Sequence, residues 1–360
     1  MAELQGNNIA DSAGTGSPDA PFGLKIGGDQ ASAKGYKNYL VNGDFTEWDY
    51  GASRRYVTST LFGPNRWKPS QSQSSAVIRI DAYSLVPKTN YALRVLSSDT
   101  TEAPSGTRMK MAQLVDSIES AELIGEDCNF AFFIRFSHTT PSSGSYGNFN
   151  YGIVEFDSAD PAFSTATPDR TTQNSITDGS FPTTWTELDL TVTTAGTMRN
   201  VGVIMNMATV SNTTASDDFY YQVARVRLTK GSKKISANFD FSEITTVRCQ
   251  KFLPYRNGGA TYTIHGRGGA TSTTSCKILI HFQTLARTVP TTVSYSGNLE
   301  LAPISGSAIA VTAISVDGAQ TSKYNAYLTV TVASGLTAGA VYTLRNSNDA
   351  TAYLQIETEL

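Results

Sequence analysis

The run Asn129-Phe130-Ala131-Phe132-Phe133-Ile134-Arg135-Phe136 is the stretch whose reading decides the fold. It is too short for a buried helix and rich in aromatic residues, which favours the centre of a sheet covered on one face by a second sheet. Working outward, Gly152-Ile153-Val154-Glu155-Phe156 reads as its neighbour, and shorter runs alternate apolar and polar residues at the strand period of two. Examples are Val77 to Ile80, Tyr91 to Leu96, Leu188 to Val192, Val201 to Met205 and Tyr220 to Leu228. Stretches rich in Gly, Pro, Ser and Asn separate these runs, the pattern of a β-sandwich.

Beyond Gly231 the alternation breaks, and Ser242-Glu243-Ile244-Thr245-Thr246-Val247-Arg248-Cys249-Gln250-Lys251-Phe252 reads as a short helix. Ser242 is the expected N-cap, Ile244, Val247 and Phe252 the expected apolar face, and Pro254 the stop. Strand patterns resume at Ala260 to Ile264, Lys277 to Phe282, Thr292 to Tyr295, Ala308 to Val316, Tyr324 to Val332 and Ala352 to Ile356. The expected class is therefore all-β: two jelly-roll-like β-sandwich domains joined by a short helix, behind an extended N-terminal segment. The boundaries read as 1–37 for that segment, 38–231 for the first domain, 232–255 for the helical linker and 256–360 for the second, smaller domain. No solenoid or propeller repeat is visible.

Composition narrows the function. The chain has 360 residues, 40% of them hydrophobic, so it can bury two moderate cores. Only 16% are charged and the formal net charge is -3, which argues against a nucleic-acid partner, since phosphate backbones reward a basic surface. No basic-then-apolar leader stands at the start and no run is long enough to cross a bilayer, so membrane insertion is not expected. Cys128, Cys249 and Cys276 lie far apart and form no ligand cluster; buried free thiols are expected, which fits assembly in a cytosol.

The residues offer no catalytic or cofactor signature. His138, His265 and His281 stand apart, without HExxH or GxSxG spacing. Asp217 and Asp218 read as solvated turn residues rather than a hydrolytic pair, whose carboxyls must face each other across a cleft. Gly266-Arg267-Gly268-Gly269 lacks the lysine and helix of a phosphate cradle and reads as a hairpin loop. Trp48, Trp67 and Trp185 are assigned to cores. No catalytic residue, metal or cofactor is expected.

One loop carries chemistry suited to recognition. Around Tyr146, Asn148, Phe149, Asn150 and Tyr151, aromatic rings offer apolar faces to sugar CH groups and asparagines offer donors and acceptors to hydroxyls. The same residues also suit an ordinary loop whose aromatics cover the end of the sandwich or a neighbouring subunit. In the N-terminal segment, Ile9, Phe22, Leu24 and Ile26 are too sparse to close a core, but Phe22 and Leu24 could anchor strand addition onto a partner.

Several motifs, taken in order, resemble known proteins. Asn38-Tyr39-Leu40-Val41-Asn42-Gly43-Asp44-Phe45-Thr46-Glu47-Trp48, followed by Asn65-Arg66-Trp67, resembles the opening of jelly-roll domains in phage tail and fibre proteins, and related openings occur in carbohydrate-binding modules. Gln113 to Ile118 with Leu123 to Gly125, and Tyr221 to Ser232, are similar to later parts of such a domain. Arg248-Cys249-Gln250-Lys251-Phe252 resembles the connector that leads into a small C-terminal β domain in phage fibres, and Arg287 to Val293 is similar to that domain's own signature. Gly14 to Leu24 resembles attachment segments of such fibres, which implies virion attachment through Ile9, Pro18, Phe22, Leu24 and Ile26.

The resemblance implies a non-enzymatic virion protein of a tailed phage, a tail fibre above all. It implies a homotrimer bound to other virion proteins of the tail or portal region, made in the host cytoplasm and presenting β domains to a host-surface glycan. A non-catalytic glycan-binding module, or a head fibre or decoration protein, are the other readings. In carbohydrate-binding relatives the opening region often holds a structural calcium. Here the closing strand, Val223-Ala224-Arg225-Val226, lacks the acidic ligand such a site uses, which argues against an ion near Asp44.

Overall fold

The computed structural model describes residues 37–46, 53–56, 66–70, 78–83, 92–97, 107–137, 145–159, 161, 167–177, 179–211, 220–232 and 242–358. The expected attachment residues Ile9, Pro18, Phe22, Leu24 and Ile26 lie outside them, as do Trp48, His138, Asp217 and Asp218.

The all-β expectation holds. In the N-terminal body the described strands are Ser53–Tyr56 (β1), Lys68–Ser70 (β2), Ile78–Tyr83 (β3), Ala92–Ser97 (β4), Thr107–Leu114 (β5), Asp127–Phe136 (β6), Ser145–Tyr146 (β7), Phe149–Phe156 (β8), Arg170–Ile176 (β9), Thr186–Thr193 (β10), Asn200–Ser211 (β11) and Tyr220–Lys230 (β12). One sheet runs β1-β3-β4-β12-β6-β10 and the other β2-β5-β11-β8-β9, with β7 added beside β11. Cys128, Phe130, Phe132, Ile134 and Phe136 of β6 are buried between the sheets, while Arg135 and the half-buried Phe133 alternate with them on the outer face. Phe132 meets Tyr151 edge-on at 5.2 Å, and Phe136 meets Phe149 edge-on at 5.4 Å. The strand at 152–156 is thus not the in-sheet neighbour of β6. It belongs to β8, and it faces β6 across the core because both strands turn aromatic residues inward.

The opening segment is stitched to the closing strand. Tyr39 N–H donates to the Leu228 carbonyl at 2.9 Å, and Val226 N–H to the Gly43 carbonyl at 2.8 Å. Asn38 accepts from Leu40 and Leu228 N–H and donates to the Val226 carbonyl. At Asn42-Gly43 it is Asn42, not the glycine, that takes the left-handed region, at φ 56°. Gly43 is needed for space: a Cβ there would lie 2.0 Å from the Val226 carbonyl oxygen. Phe45 enters the core 5.4 Å from Trp67, whose indole N–H donates to the Asn42 carbonyl. Gln113 closes the arrangement by exchanging two hydrogen bonds with the backbone of Val41.

A one-turn helix, Ser117–Ser120 (α1), capped by Asp116, follows β5, and the expected helix spans Ser242–Gln250 (α2). Among its described side chains Thr245 and Cys249 are buried, and Phe252 just beyond it is buried as expected, whereas Val247 is exposed, so the expected apolar face was wrong at that residue. The burial follows from what the helix touches. Arg248 donates to the Asn38 carbonyl and pairs with Glu119, and the Arg66 guanidinium lies 3.4 Å above the Phe252 ring.

The C-terminal body comprises Tyr255–Gly258 (β13), Ile264–Ala270 (β14), Ser275–His281 (β15), Val293–Ser296 (β16), Leu299–Pro303 (β17), Ile309–Val316 (β18), Asn325–Val332 (β19), Val341–Asn346 (β20) and Tyr353–Ile356 (β21). Here the stacked-sheet expectation resolves into a closed barrel, β14-β15-β19-β18-β17-β20, beside a small sheet, β13-β21-β16. The expected hairpin loop Gly266 to Gly269 is instead the middle of β14. Its glycines admit the neighbouring strand, since a Cβ on Gly268 would sit 1.6 Å from the Lys277 carbonyl oxygen.

Candidate functional site: a donor-rich face of the first sheet

The outer face of the first sheet is built around a break in β12. Its inward residues are Tyr221 and Val223, then Val226 and Leu228, so the alternation slips by one between Ala224 and Arg227. The slip is a β-bulge. On one side of it β12 pairs with β4 as far as Val223, and on the other it bonds to the opening segment through Val226. Arg225, in the bulge, takes φ 52°, a conformation that costs an L-residue energy and marks places where surrounding structure over-determines the backbone.

Beside the bulge, four strands align polar side chains. Gln222, fully buried, stands opposite Arg94 of β4 and Arg135 of β6. Arg135 donates from Nε to Gln222 Oε1, which fixes the orientation of the amide. The Arg135 guanidinium also lies 5.3 Å from the ring of Trp185, immediately before β10, and that of Arg94 lies 5.5 Å from the Tyr220 ring. One step along the face, Arg227, almost fully buried, pairs with Glu187 of β10. Burial, and then the like charge of Arg227, lowers the pKa of Arg225, with Glu187 opposing.

This row contains donors that the described residues do not satisfy. Gln222 Nε2, Trp185 Nε1 and Arg227 Nε are all buried and have no hydrogen-bond partner among them. Each such group costs about 1–3 kcal/mol if left unmet. Half-buried Trp185 and Phe133 add ring faces to the donors. The parts of this face that a ligand could reach are the half-buried rings and the half-buried guanidiniums of Arg94 and Arg135, which offer ring surfaces to CH groups and N–H donors to oxygens. Trp185 was expected in a core. It stands outside because Thr186 pairs with Ile134, leaving the preceding residue level with outward-facing Arg135.

The loop singled out from sequence is divided by the fold. Phe149 and Tyr151 are buried in the core, so neither ring is a sugar platform. Burial raises the Tyr151 hydroxyl's pKa, and a hydrogen bond with Asn174 opposes this. Asn148 is exposed and Asn150 half-buried, and the backbone of Tyr146 pairs with Val210. Asn150 lies opposite Ser175 and Asn206 on the second sheet, away from the donor row. No group of three or more His, Cys, Asp and Glu side chains gathers as a possible metal site among the described residues. The cysteines are buried and not disulfide-bonded, and burial pushes the Cys128 and Cys276 thiols up to about 12 and about 11.

No protein-family model matches the chain, and no curated protein sequence matches it. Solved structures similar to it include the enzymatically active domain of tailspike protein 4 of bacteriophage CBA120, at 11% identity and a TM-score of 0.33 over 54% of this chain. The chain spans 21% of that tailspike chain. A family 4 carbohydrate-binding module is similar at 14% identity and TM-score 0.29, covering 53% of this chain and 98% of the module. A family 16 carbohydrate-binding module is similar at 12% and 0.27, covering 42% and 84%. The likeness is one of β architecture.

Proposed function

We propose that this chain is a non-catalytic structural component of a tailed-phage virion, a tail fibre, that attaches through its N-terminal segment and binds a host-surface glycan with the outer face of its first sheet. The observation that carries the recognition role is the pair of half-buried rings, Trp185 and Phe133, beside the half-buried guanidiniums of Arg94 and Arg135 on one face of the sheet. The virion role is supported by the ordered motifs of the opening segment, the Arg248 to Phe252 connector and Arg287 to Val293. In the structure these motifs are the parts that close the sandwich and join it to the barrel. The fibre acts as a homotrimer, by shape and contact, without turnover.

Two manipulations test the proposal. Removing residues 1–36 should abolish incorporation into particles while circular dichroism still reports folded β domains; normal incorporation would refute anchoring. Replacing Trp185 and Gln222 with Ala should abolish binding of the purified chain to host cells, and retained binding would refute this face as the receptor site. Incubation with host polysaccharide should release no reducing ends; their release would show an enzyme.

A further inference from the structure

Between the sandwich and the C-terminal body lies a cavity of about 240 Å³. Val41, Ile118, Phe252, Leu285 and Ala286 make its walls mostly apolar, and Ile118 and Leu285 remain exposed, at 81% and 48%. A cavity of ~150 Å³ lined by aliphatic and aromatic side chains is enough to hold benzene, so this one has room for a phenyl ring. Four of the charged groups around it are paired, Arg287 with Asp116 and Arg248 with Glu119. Lys251 and Lys323 also line it; both are exposed, and their ammonium groups have no partner among the described residues. The site therefore suits an apolar anchor carried on an acidic segment.

The chain itself contains such a segment, and it joins the described body at this place. Residues 1–24 carry Glu3, Asp11 and Asp19 and neither Lys nor Arg, with Phe22 shortly after Asp19. Lys37, the first described residue, pairs through its ammonium with Glu119 at 3.4 Å, and Glu119 lines the cavity. Phe22 precedes Lys37 by 15 positions, an extended reach of up to about 50 Å, so the cavity is within its range. We propose that the junction cavity is a docking site for the chain's own N-terminal segment, taking the Phe22 ring against its apolar walls with Asp19 on Lys251 or Lys323. This goes beyond the attachment reading and does not depend on it: the residues proposed to engage the virion are first held on the chain itself.

The test is the initial rate at which trypsin cuts after Lys25 in the full chain, read by mass spectrometry against a synthetic peptide of residues 14–36. At an effective concentration of about 1 mM, set by the tether, an affinity of about 0.1 mM fills the cavity in about nine of ten molecules, so cleavage should be about tenfold slower in the chain than in the peptide. Lys251→Glu with Lys323→Glu reverses the complementary charge, and Leu285→Asp spoils an apolar wall; all three positions are exposed, and circular dichroism should report an unchanged fold. Phe22→Ala removes the anchor and is compared with a peptide carrying the same change. Each variant should bring the rate to within about twofold of its peptide. Cleavage of the unaltered chain at the peptide's rate would overturn the inference, and slow cleavage that survives the changes at Lys251, Lys323 and Leu285 would overturn it by moving the segment elsewhere. Slow cleavage that is lost on dilution would also overturn it, giving the cavity to the segment of a neighbouring copy in place of the chain's own.

Discussion

An added methyl group at Gly43 would meet the Val226 carbonyl at 2.0 Å, while at Gly196 it would meet nothing within 4 Å. Gly43→Ala is therefore expected to lower stability in denaturant titration by about 1–3 kcal/mol, and Gly196→Ala to stay within about 0.5 kcal/mol. A second residue-scale expectation concerns His265. Asn346 Nδ2 donates to the carbonyls of Ala260 and Ala352, so Asn346 Oδ1 must accept, and His265 Nε2 at 2.8 Å must carry the proton. The Tyr255 hydroxyl then donates to His265 Nδ1 at 3.2 Å, and the imidazole is neutral. Burial holds its pKa below the ordinary histidine value, with the Asn346 bond opposing. As pH falls below about 6.5 the unfolded chain takes up this proton first, so stability is complete above that pH and declines below it toward the folded pKa. Thermal melts between pH 7.5 and 5 should show this loss, and His265→Gln should flatten it.

At the scale of the element, β12 carries a conflict between stability and recognition. Its bulge keeps Val223 and Val226 on the core side while the strand changes partner, and it holds Arg225 at positive φ. Glycine takes that conformation without strain, so Arg225→Gly should raise the unfolding free energy measured by denaturant titration by up to about 1 kcal/mol. The same change removes a guanidinium from the donor-rich face, so ligand affinity should fall as stability rises. A fall in both would identify packing of the Arg225 side chain as its main role. β14 makes the complementary point: a glycine-rich run looks like a loop until a neighbouring strand is placed against it.

Across the whole molecule, the sandwich and the barrel each have their own core, and a few side chains join them. Arg287 Nε donates to Asp116 Oδ2 at 2.6 Å, both side chains largely buried, and Phe252 lies under Arg66 with Arg287 5.9 Å away. Removing one partner of such a pair leaves the other charge uncompensated. Arg287→Ala should therefore uncouple the bodies, converting one calorimetric unfolding transition into two, while each body retains its strand signal. A single unchanged transition would show that α2 alone carries the coupling.

What the sequence determined by itself was the class of fold and the places where the chain turns inward. The alternation in β6 and β10, Trp67 as a core residue, the helix at Ser242 and the buried cysteines were legible because burial imposes a local period or composition. The slip of β12 between Ala224 and Arg227 was missed, since Tyr220 to Leu228 reads as one alternating run until its partner strands are known. The candidate site was not. Arg94, Arg135, Trp185 and Gln222 occupy outward positions that look like solvated surface one strand at a time, and the aromatic loop that looked like a site sends Phe149 and Tyr151 into the core. Only the tertiary structure sets the order β4-β12-β6-β10, which brings residues up to 128 positions apart onto one face. Strand order is decided by how two sheets bury their aromatic faces together, a long-range property that no local period records.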